Sequence, residues 1–136
     1  MTQKTGTTAY AVGDELPALS KAITQDEILR YARVSGDGNP LHTDPEFAAA
    51  TQFGGTVAHG MLVLAYLSEM LTAAFGERWV AHGRMKARFR APARPGDTVT
   101  AAGRVIKVEN GVIRGEAECR NQAGEVLVAA DVEVPA

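Results

Sequence analysis

A stretch that is apolar on nearly every side constrains the fold of this 136-residue chain more than any other feature. It runs from Gly60 to Phe75, and Gly76 follows at a position typical of the end of a helix. Its large apolar side chains are Met61, Leu62, Val63, Leu64, Leu67, Met70 and Leu71. A helix that is hydrophobic all round is buried, so the rest of the chain must fold around this one.

Downstream of this helix the hydrophobic pattern changes to a period of two, which is typical of β-strands. Strands are predicted at about residues 83–91, 99–109, 112–120 and 126–134, with a weaker one at about 19–24. Asn110-Gly111 is a strong hairpin signal between two of these strands. The sequence therefore predicts an α+β fold in which an antiparallel meander of strands covers one buried helix.

Two shorter helices are predicted upstream of the buried one. Thr24 and Glu27 match a capping box, which predicts a helix from about Gln25 to Val34. Asp44-Pro45 is typical of a second helix start, because aspartate caps a helix and proline fits its first turn. The chain between these helices carries the most informative polar residues.

Asp37 and His42 lie five positions apart in a segment that cannot stay helical. Gly36 and Gly38 favour turns, and Pro40 is incompatible with a helix interior. On a regular helix this spacing would separate the two side chains by about 140°, so they can meet only if the chain turns between them. A carboxyl group and an imidazole on such a turn are candidates for general acid/base catalysis.

With Tyr31 and Val34 before it and Ala48 after it, this segment resembles the signature of the (R)-specific, type-2 enoyl-CoA hydratases, the MaoC-like dehydratases. It matches Gly-Asp-x-Asn-Pro-aliphatic-His from Gly36 to His42, and the resemblance continues through residues 58–62. The resemblance implies a hotdog fold, in which one long antiparallel sheet wraps around a central helix. We therefore expect a single MaoC-like hotdog domain over residues 1–136, with about the first ten residues flexible.

The resemblance also implies an activity. Enzymes of this family are hydro-lyases of fatty acid metabolism that add water reversibly, in syn geometry, to a trans-2-enoyl thioester. Asp37 and His42 would be the catalytic residues, holding one water between them. We favour His42 as the group that takes the water proton and Asp37 as the group that delivers the other, although the sequence leaves the opposite assignment open.

Further residues are assigned supporting roles. Gly60 is expected to begin the buried helix, where a free N–H at the positive end of the helix dipole would act as the oxyanion donor to the thioester oxygen. Asn39 is interpreted as a turn residue that also braces the catalytic pair, and the resemblance implies that Ser68 assists it. We interpret Tyr31 as a packing residue and His59 as structural.

A basic face is predicted on the strand that follows the buried helix. It consists of Arg84, Lys86, Arg88 and Arg90, and Arg94 is a further candidate. Such a face is usually a solvated strand surface, but it could also contact the phosphates of coenzyme A or of the pantetheine arm of a carrier protein. The acyl-CoA or acyl-carrier-protein thioester would be the substrate, with no separate cofactor. His82 is interpreted as an ordinary strand residue.

The composition limits which binding partners and which cellular location are expected. A formal net charge of -2 gives no overall attraction to nucleic acid or to an anionic membrane. The single cysteine, Cys119, cannot form an intramolecular disulfide and suits a reducing compartment. We see neither a secretory signal nor an apolar run of the roughly 18 residues that a membrane span needs, so a cytoplasmic location is expected.

Three other interpretations of the sequence compete with a hydratase. A hotdog thioesterase would attack the same thioester at its carbonyl carbon, and an inactive partner subunit of a heteromeric dehydratase would be expected to have lost the Asp37/His42 pair. A metal site that also uses Asp44 and His59 lacks the ligand spacing of a zinc motif, so no metal is expected. We also expect a homodimer or a dimer of dimers, because related hotdog proteins pair their exposed edge strands.

Overall fold

The computed structural model describes residues 9–136, which form five helices and five strands. Their order is β1 (Leu19–Ala22), α1 (Gln25–Ser35), α2 (Pro40–Thr43), α3 (Pro45–Ala49), α4 (Gly60–Phe75), α5 (Glu77–His82), β2 (Arg84–Phe89), β3 (Thr98–Glu109), β4 (Val112–Arg120) and β5 (Val126–Pro135). Residues 1–8 of the stretch expected to be flexible lie outside the described residues. Tyr10 is buried, and its ring centroid lies 5.0 Å from that of Phe75.

The strands form one antiparallel sheet in the order β1-β3-β4-β5-β2. The hairpin between β3 and β4 turns at Asn110 and Gly111, whose φ angles of 53° and 74° are those of the predicted tight turn. The prediction that β2 belongs to the meander is wrong, because β2 pairs with β5 at the far edge. The chain after β2 is hydrogen-bonded to other loops, Ala93 to Ala58 and Gly96 to Ile23, each at 2.8 Å, so it crosses the end of the sheet instead of making a hairpin.

Helix α4 lies in the core and has the predicted bounds, with Gly76 as its C-cap. Leu67, Met70 and Leu71 are fully buried and belong to one hydrophobic cluster with the inward side chains of the sheet. These include Val99, Ala101, Val105, Cys119, Val128, Val132 and Val134. The predicted α+β arrangement of one buried helix covered by an antiparallel sheet is therefore confirmed. Neither α4 nor any other helix within residues 9–136 is long and apolar enough to cross a membrane.

The structure corrects the interpretation of His82, which ends helix α5 rather than lying in a strand. Gly76, with φ of 60°, ends α4, and the chain immediately begins a new helical turn. The C-cap of α5 is Gly83, whose N–H donates to the carbonyl of Trp79 at 2.9 Å. The strand starts only at Arg84, because the chain up to His82 is helical and Gly83 is its cap.

Candidate active site

The turn predicted between the first two helices is present. Gly36 ends α1 in the left-handed conformation, with φ of 79°, and its N–H donates to the Ala32 carbonyl at 3.0 Å. Asn39 then caps α2, since its side-chain oxygen accepts the Leu41 N–H at 2.9 Å. Pro40 occupies the first turn of α2, where its missing N–H costs no hydrogen bond. Asn39 is thus a turn residue, as predicted.

This turn brings Asp37 and His42 together. A carboxylate oxygen of Asp37 and a ring nitrogen of His42 lie within 4.8 Å of each other. One water that makes a hydrogen bond to each of two groups typically spans about 4.5 Å between them. The separation is therefore suited to a single shared water.

The carboxylate of Asp37 is oriented by its own turn. One oxygen, Oδ1, accepts the Asn39 N–H at 3.3 Å, which is an Asx-turn. The Asp37 N–H in turn donates to the Ser35 hydroxyl at 3.2 Å. The structure gives Oδ2 no hydrogen-bond donor among residues 9–136, and the residue is exposed. One carboxylate oxygen is thus fixed and the other is open to solvent.

The ring of His42 is oriented by a backbone carbonyl. Its Nδ1 lies 2.7 Å from the carbonyl oxygen of Val57, which can only accept a hydrogen bond, so Nδ1 carries the hydrogen. In the neutral ring the lone pair is therefore on Nε2. The Gln25 side chain also joins these two segments, donating to the His42 carbonyl at 2.9 Å and accepting from the Thr56 hydroxyl at 2.6 Å.

His59, the residue before α4, contacts both members of the pair. Its ring stacks on that of His42, with centroids 3.9 Å apart and an interplanar angle of 25°. Its Nε2 lies 2.9 Å from the backbone oxygen of Asp37, and the residue is only 2% exposed. A ring nitrogen of His59 lies within the same 4.8 Å grouping as the Asp37 carboxylate and His42. His59 was interpreted as structural, and its place next to Gly60 is the one sequence signal that could have indicated these contacts.

Gly60 is the first residue of α4, as predicted, and His59 is the N-cap. No residue of the described part of the chain accepts a hydrogen bond from its N–H. A β-carbon at this position would lie 3.0 Å from two ring carbons of Phe89, so the close packing of that ring already favours a glycine here. The role of its N–H as an oxyanion donor stays a prediction.

Ser68 lies eight residues beyond Gly60, or about 12 Å further along α4. Its hydroxyl oxygen accepts a hydrogen bond from the indole nitrogen of Trp79 at 3.0 Å. Within residues 9–136 no hydrogen bond joins it to Asp37 or His42. An assisting role for Ser68 therefore stays a prediction, and its contact in the structure is with α5.

The basic face of β2 lies against acidic residues of β5. Arg84 is directly opposite Glu133, and Lys86 is opposite Asp131. Arg88 forms an ion pair with Asp131 at 3.1 Å. The positive charge of this strand is thus partly offset within the same sheet face, although a contact with substrate phosphates stays a prediction.

The other two basic candidates lie beyond the end of β2. Arg90 donates its backbone N–H to the Leu127 carbonyl at 2.8 Å, and its side chain is exposed. The guanidinium of Arg94 donates to the carbonyl of Phe53 at 2.5 Å, and its backbone N–H donates to Asp97 at 2.9 Å. Arg94 therefore links two loops, and its contribution to the basic face stays a prediction.

Cys119 is a buried core residue and not a candidate nucleophile. It is fully buried beside α4, where its thiol donates to the Val63 carbonyl at 3.7 Å. Burial, with a smaller contribution from Glu118, raises the pKa of the Cys119 thiol from 9.0 to about 12. Such a thiol stays protonated near neutral pH and is a poor nucleophile.

The fold and the site together correspond to a known family. The sequence profile of the family described as MaoC like domain matches residues 7–127 of the chain. The chain therefore belongs to the MaoC-like dehydratase family, as the resemblance of the Gly36 to His42 segment indicated.

Two relatives have described activities. The chain is 39% identical over 92 residues to 3-hydroxyacyl-thioester dehydratase Z of Mycobacterium tuberculosis, an alignment that covers 65% of this chain and 61% of that protein. It is 33% identical over 123 residues to the (R)-specific enoyl-CoA hydratase of Rhodospirillum rubrum, covering 88% of this chain and 85% of that one. The chain thus spans less than two thirds of the mycobacterial relative and most of the other.

Solved structures confirm the hotdog fold. The (R)-hydratase from Aeromonas caviae involved in PHA biosynthesis superposes with a TM-score of 0.81 at 28% identity, covering 93% of this chain and 97% of that one. The ChsH1-ChsH2 complex of Mycobacterium tuberculosis contains a chain that superposes with a TM-score of 0.82 at 25% identity, covering 93% of this chain and 98% of that one.

Proposed function

We propose that this protein is an (R)-specific enoyl-CoA hydratase, or 3-hydroxyacyl-thioester dehydratase, that adds water reversibly to a trans-2-enoyl thioester. The observation that carries the proposal is the approach of Asp37 and His42 to within 4.8 Å on one turn. The names of the relatives from Rhodospirillum rubrum and Mycobacterium tuberculosis support the same reaction class.

The two side chains divide the proton transfers. Nε2 of His42 takes a proton from the water held between the residues, and the water oxygen forms a bond to C3 of the enoyl group. In the proposed cycle Asp37 starts as the carboxylic acid and delivers its proton to C2, which completes the 3-hydroxyacyl thioester and leaves Asp37 as the carboxylate. Because the two groups lie within 4.8 Å of each other, they would act on the same face of the double bond, and the proposed addition is syn. A proton then returns from His42 to Asp37, directly or through solvent, and the reverse sequence is dehydration.

Negative charge develops on the thioester oxygen as water attacks C3. The N–H of Gly60, at the first position of α4, is the proposed donor to that oxygen. It is one residue from His59, which stacks on His42, so the donor and the pair lie next to each other. The positive end of the dipole of a 16-residue helix adds to this stabilisation.

Coenzyme A or the pantetheine arm of a carrier protein enters as part of the substrate. The chemistry requires neither a metal nor a separate cofactor, because His42 and Asp37 handle both protons and Gly60 handles the developing charge. Asn39 supports the pair by donating its backbone N–H to Asp37 and by capping the helix that carries His42.

The proposed enzyme is a homodimer or a dimer of dimers. Strands β1 and β2 are the two edges of the sheet, and each leaves one side of its backbone without a neighbouring strand within residues 9–136. Phe89, at the end of β2, and Met61, at the start of α4, are 55% and 56% exposed. A second copy of the chain would cover the β2 edge and this apolar surface beside the active site.

The reverse reaction provides a direct test with a stereochemical readout. The purified protein is offered the (R) and (S) enantiomers of short-, medium- and long-chain 3-hydroxyacyl-CoA, and the same acyl groups on carrier protein. Enoyl absorbance should appear from (R) substrates alone, and the panel would also give the preferred chain length and carrier. Formation of enoyl product from (S) substrates, or no dehydration of any member, would contradict the proposal.

A further inference from the structure

The geometry points to His59 as a positioning residue, which holds both members of the catalytic pair in place for proton transfer. This inference rests on the proposed function, because it assigns a purpose to the Asp37/His42 pair. His59 makes a different contact with each member, and the two contacts can be removed separately.

The first contact fixes the turn that carries Asp37. Because a backbone carbonyl oxygen only accepts, the 2.9 Å contact requires that Nε2 of His59 carries the hydrogen and donates it to Asp37. The other hydrogen bonds of this residue, to Ser35 and Asn39, are local to an exposed turn. Among the described hydrogen bonds of Asp37 itself, the bond from His59 is therefore the one that ties it to a buried side chain.

The second contact fixes the plane of the His42 ring. The bond from Nδ1 of His42 to Val57 at 2.7 Å sets where one ring atom lies, but the ring could still rotate about that direction. Stacking on His59 at 3.9 Å restricts this rotation. The two contacts together aim Nε2 of His42, the proposed base, in one direction.

His59 is itself rigidly held. It is 2% exposed, the Tyr31 ring packs against it at 4.8 Å, and its carbonyl accepts the N–H of Leu62 at 3.0 Å in the first turn of α4. Reacting groups must be held within about half an ångström of their productive geometry, which requires supporting residues that are themselves fixed. His59 meets this requirement for both residues at once.

The hydrogen-bonding pattern of His59 argues against a role in filling space alone. Its Nδ1 is buried and has no hydrogen-bond partner in the described part of the chain, an arrangement that carries a free-energy cost. An apolar side chain would avoid that cost but could not bond to Asp37.

Two variants separate the contacts. His59→Gln keeps an N–H donor at a similar distance from the backbone but removes the ring that stacks on His42. His59→Phe keeps a ring but removes the donor to Asp37. We expect each to lower kcat about tenfold to a hundredfold with KM changed less than about threefold, and His59→Ala to lower kcat further. The exposed His82 on α5 supplies the matched control, His82→Gln, which should behave like the parent protein.

A spectroscopic readout separates positioning from simple loss of fold and from failure of the proposed function. In NMR spectra of the parent protein, the relaxation of the His42 ring carbons should indicate a rigid ring, and in His59→Gln a more mobile one, while the Val57 carbonyl keeps the hydrogen on Nδ1 in both proteins. This NMR result does not depend on which reaction the protein catalyses. If both folded variants kept kcat within about threefold, or if the His42 signals were unchanged, His59 would not position the pair. If the parent protein lacked dehydratase activity but the His42 signals changed as expected, only the proposed function would fail.

Discussion

Nδ1 of His42 lies 2.7 Å from the carbonyl oxygen of Val57. This one contact settles which nitrogen of the neutral ring is available to a substrate water, because the hydrogen must be on Nδ1 and the lone pair on Nε2. A lone pair on Nε2 is what the proposed role of His42 as base requires, so the contact supports that proposal.

Removing either member of the pair should abolish most activity and leave the fold intact. Asp37→Asn retains an oxygen that can accept the Asn39 N–H, and His42→Asn retains an N–H near Val57, so neither variant removes the local hydrogen bonds. Since general acid/base groups typically contribute about a hundredfold to ten-thousandfold, kcat should fall by that range. Thermal unfolding of each variant serves as the control. A stable variant with activity within a fewfold of the parent would show that the residue is not catalytic.

Gly60→Pro should remove the proposed oxyanion donor and keep the helix. The preceding residue, His59, has φ of -59° and ψ of 136°, which is the conformation that a following proline favours. Loss of one such donor typically costs about 3 kcal/mol, so kcat should fall on the order of a hundredfold, with a smaller effect on KM.

Gly60→Ala is the control for this experiment, because it keeps the N–H. The added methyl group meets the Phe89 ring, and the double variant with Phe89→Ala removes that crowding. We expect Gly60→Ala to retain most activity, and the double variant to retain it at concentrations where light scattering shows the same assembly as the parent. Equal damage from alanine and proline would indicate packing as the reason for the glycine, and a fully active proline variant would exclude Gly60 as the donor.

Association through an edge strand predicts a mass in solution of two or four chains. Multi-angle light scattering measures this directly, and Phe89→Lys, on the exposed end of β2, should shift the equilibrium towards monomer by placing a charge in the proposed contact. Activity should fall together with the dimer fraction as the protein is diluted. A parent protein that is monomeric and active at assay concentration would refute the proposed assembly.

Cys119 should make the protein less stable at alkaline pH. Burial raises the pKa of the Cys119 thiol from 9.0 to about 12, so the unfolded protein loses this proton at a lower pH than the folded protein. The contribution of Cys119 to the free energy of unfolding is therefore complete below pH 9 and is lost as the pH rises towards 12. In that window the folded state holds one more proton than the unfolded state, so the free energy of unfolding falls by about 1.4 kcal/mol per pH unit. Urea unfolding of the parent and of Cys119→Ala between pH 8 and about pH 10.5 should show a shallower decline in the variant.

The same comparison controls for the tyrosines. Burial also raises the pKa values of Tyr10 and Tyr66, but both are present in the two proteins and cancel in the difference. Parallel stability curves would mean that the Cys119 thiolate forms as easily in the folded state as in the unfolded one. The buried thiol should also be unreactive towards thiol reagents until the protein unfolds.

The elements that could be predicted from the sequence are those with local signals. The capping box at Thr24, the Asp44-Pro45 helix start, the glycine after Phe75 and the Asn110-Gly111 hairpin each act within a few residues, and each lies where it was expected. The turn between Asp37 and His42 was predictable for the same reason.

The remaining features depend on contacts between distant parts of the chain. The pairing of β2 with β5 is set by how residues 90–97 bond to loops near Ile23 and Ala58, and no pattern within β2 reveals it. The stacking of His42 on His59 likewise depends on where α4 begins relative to the turn. The acidic partners of the basic face could be assigned only once the register with β5 was known.

The central claim is that the Asp37/His42 pair adds water to the double bond of an enoyl thioester and leaves the thioester intact. It is tested by mixing the purified protein with trans-2-enoyl-CoA and recording enoyl absorbance and free thiol in the same sample. We predict that the enoyl absorbance decays at constant thiol, that (R)-3-hydroxyacyl-CoA accumulates, and that His42→Asn abolishes the decay. Release of free thiol while the double bond stays intact would contradict this account and identify a thioesterase instead.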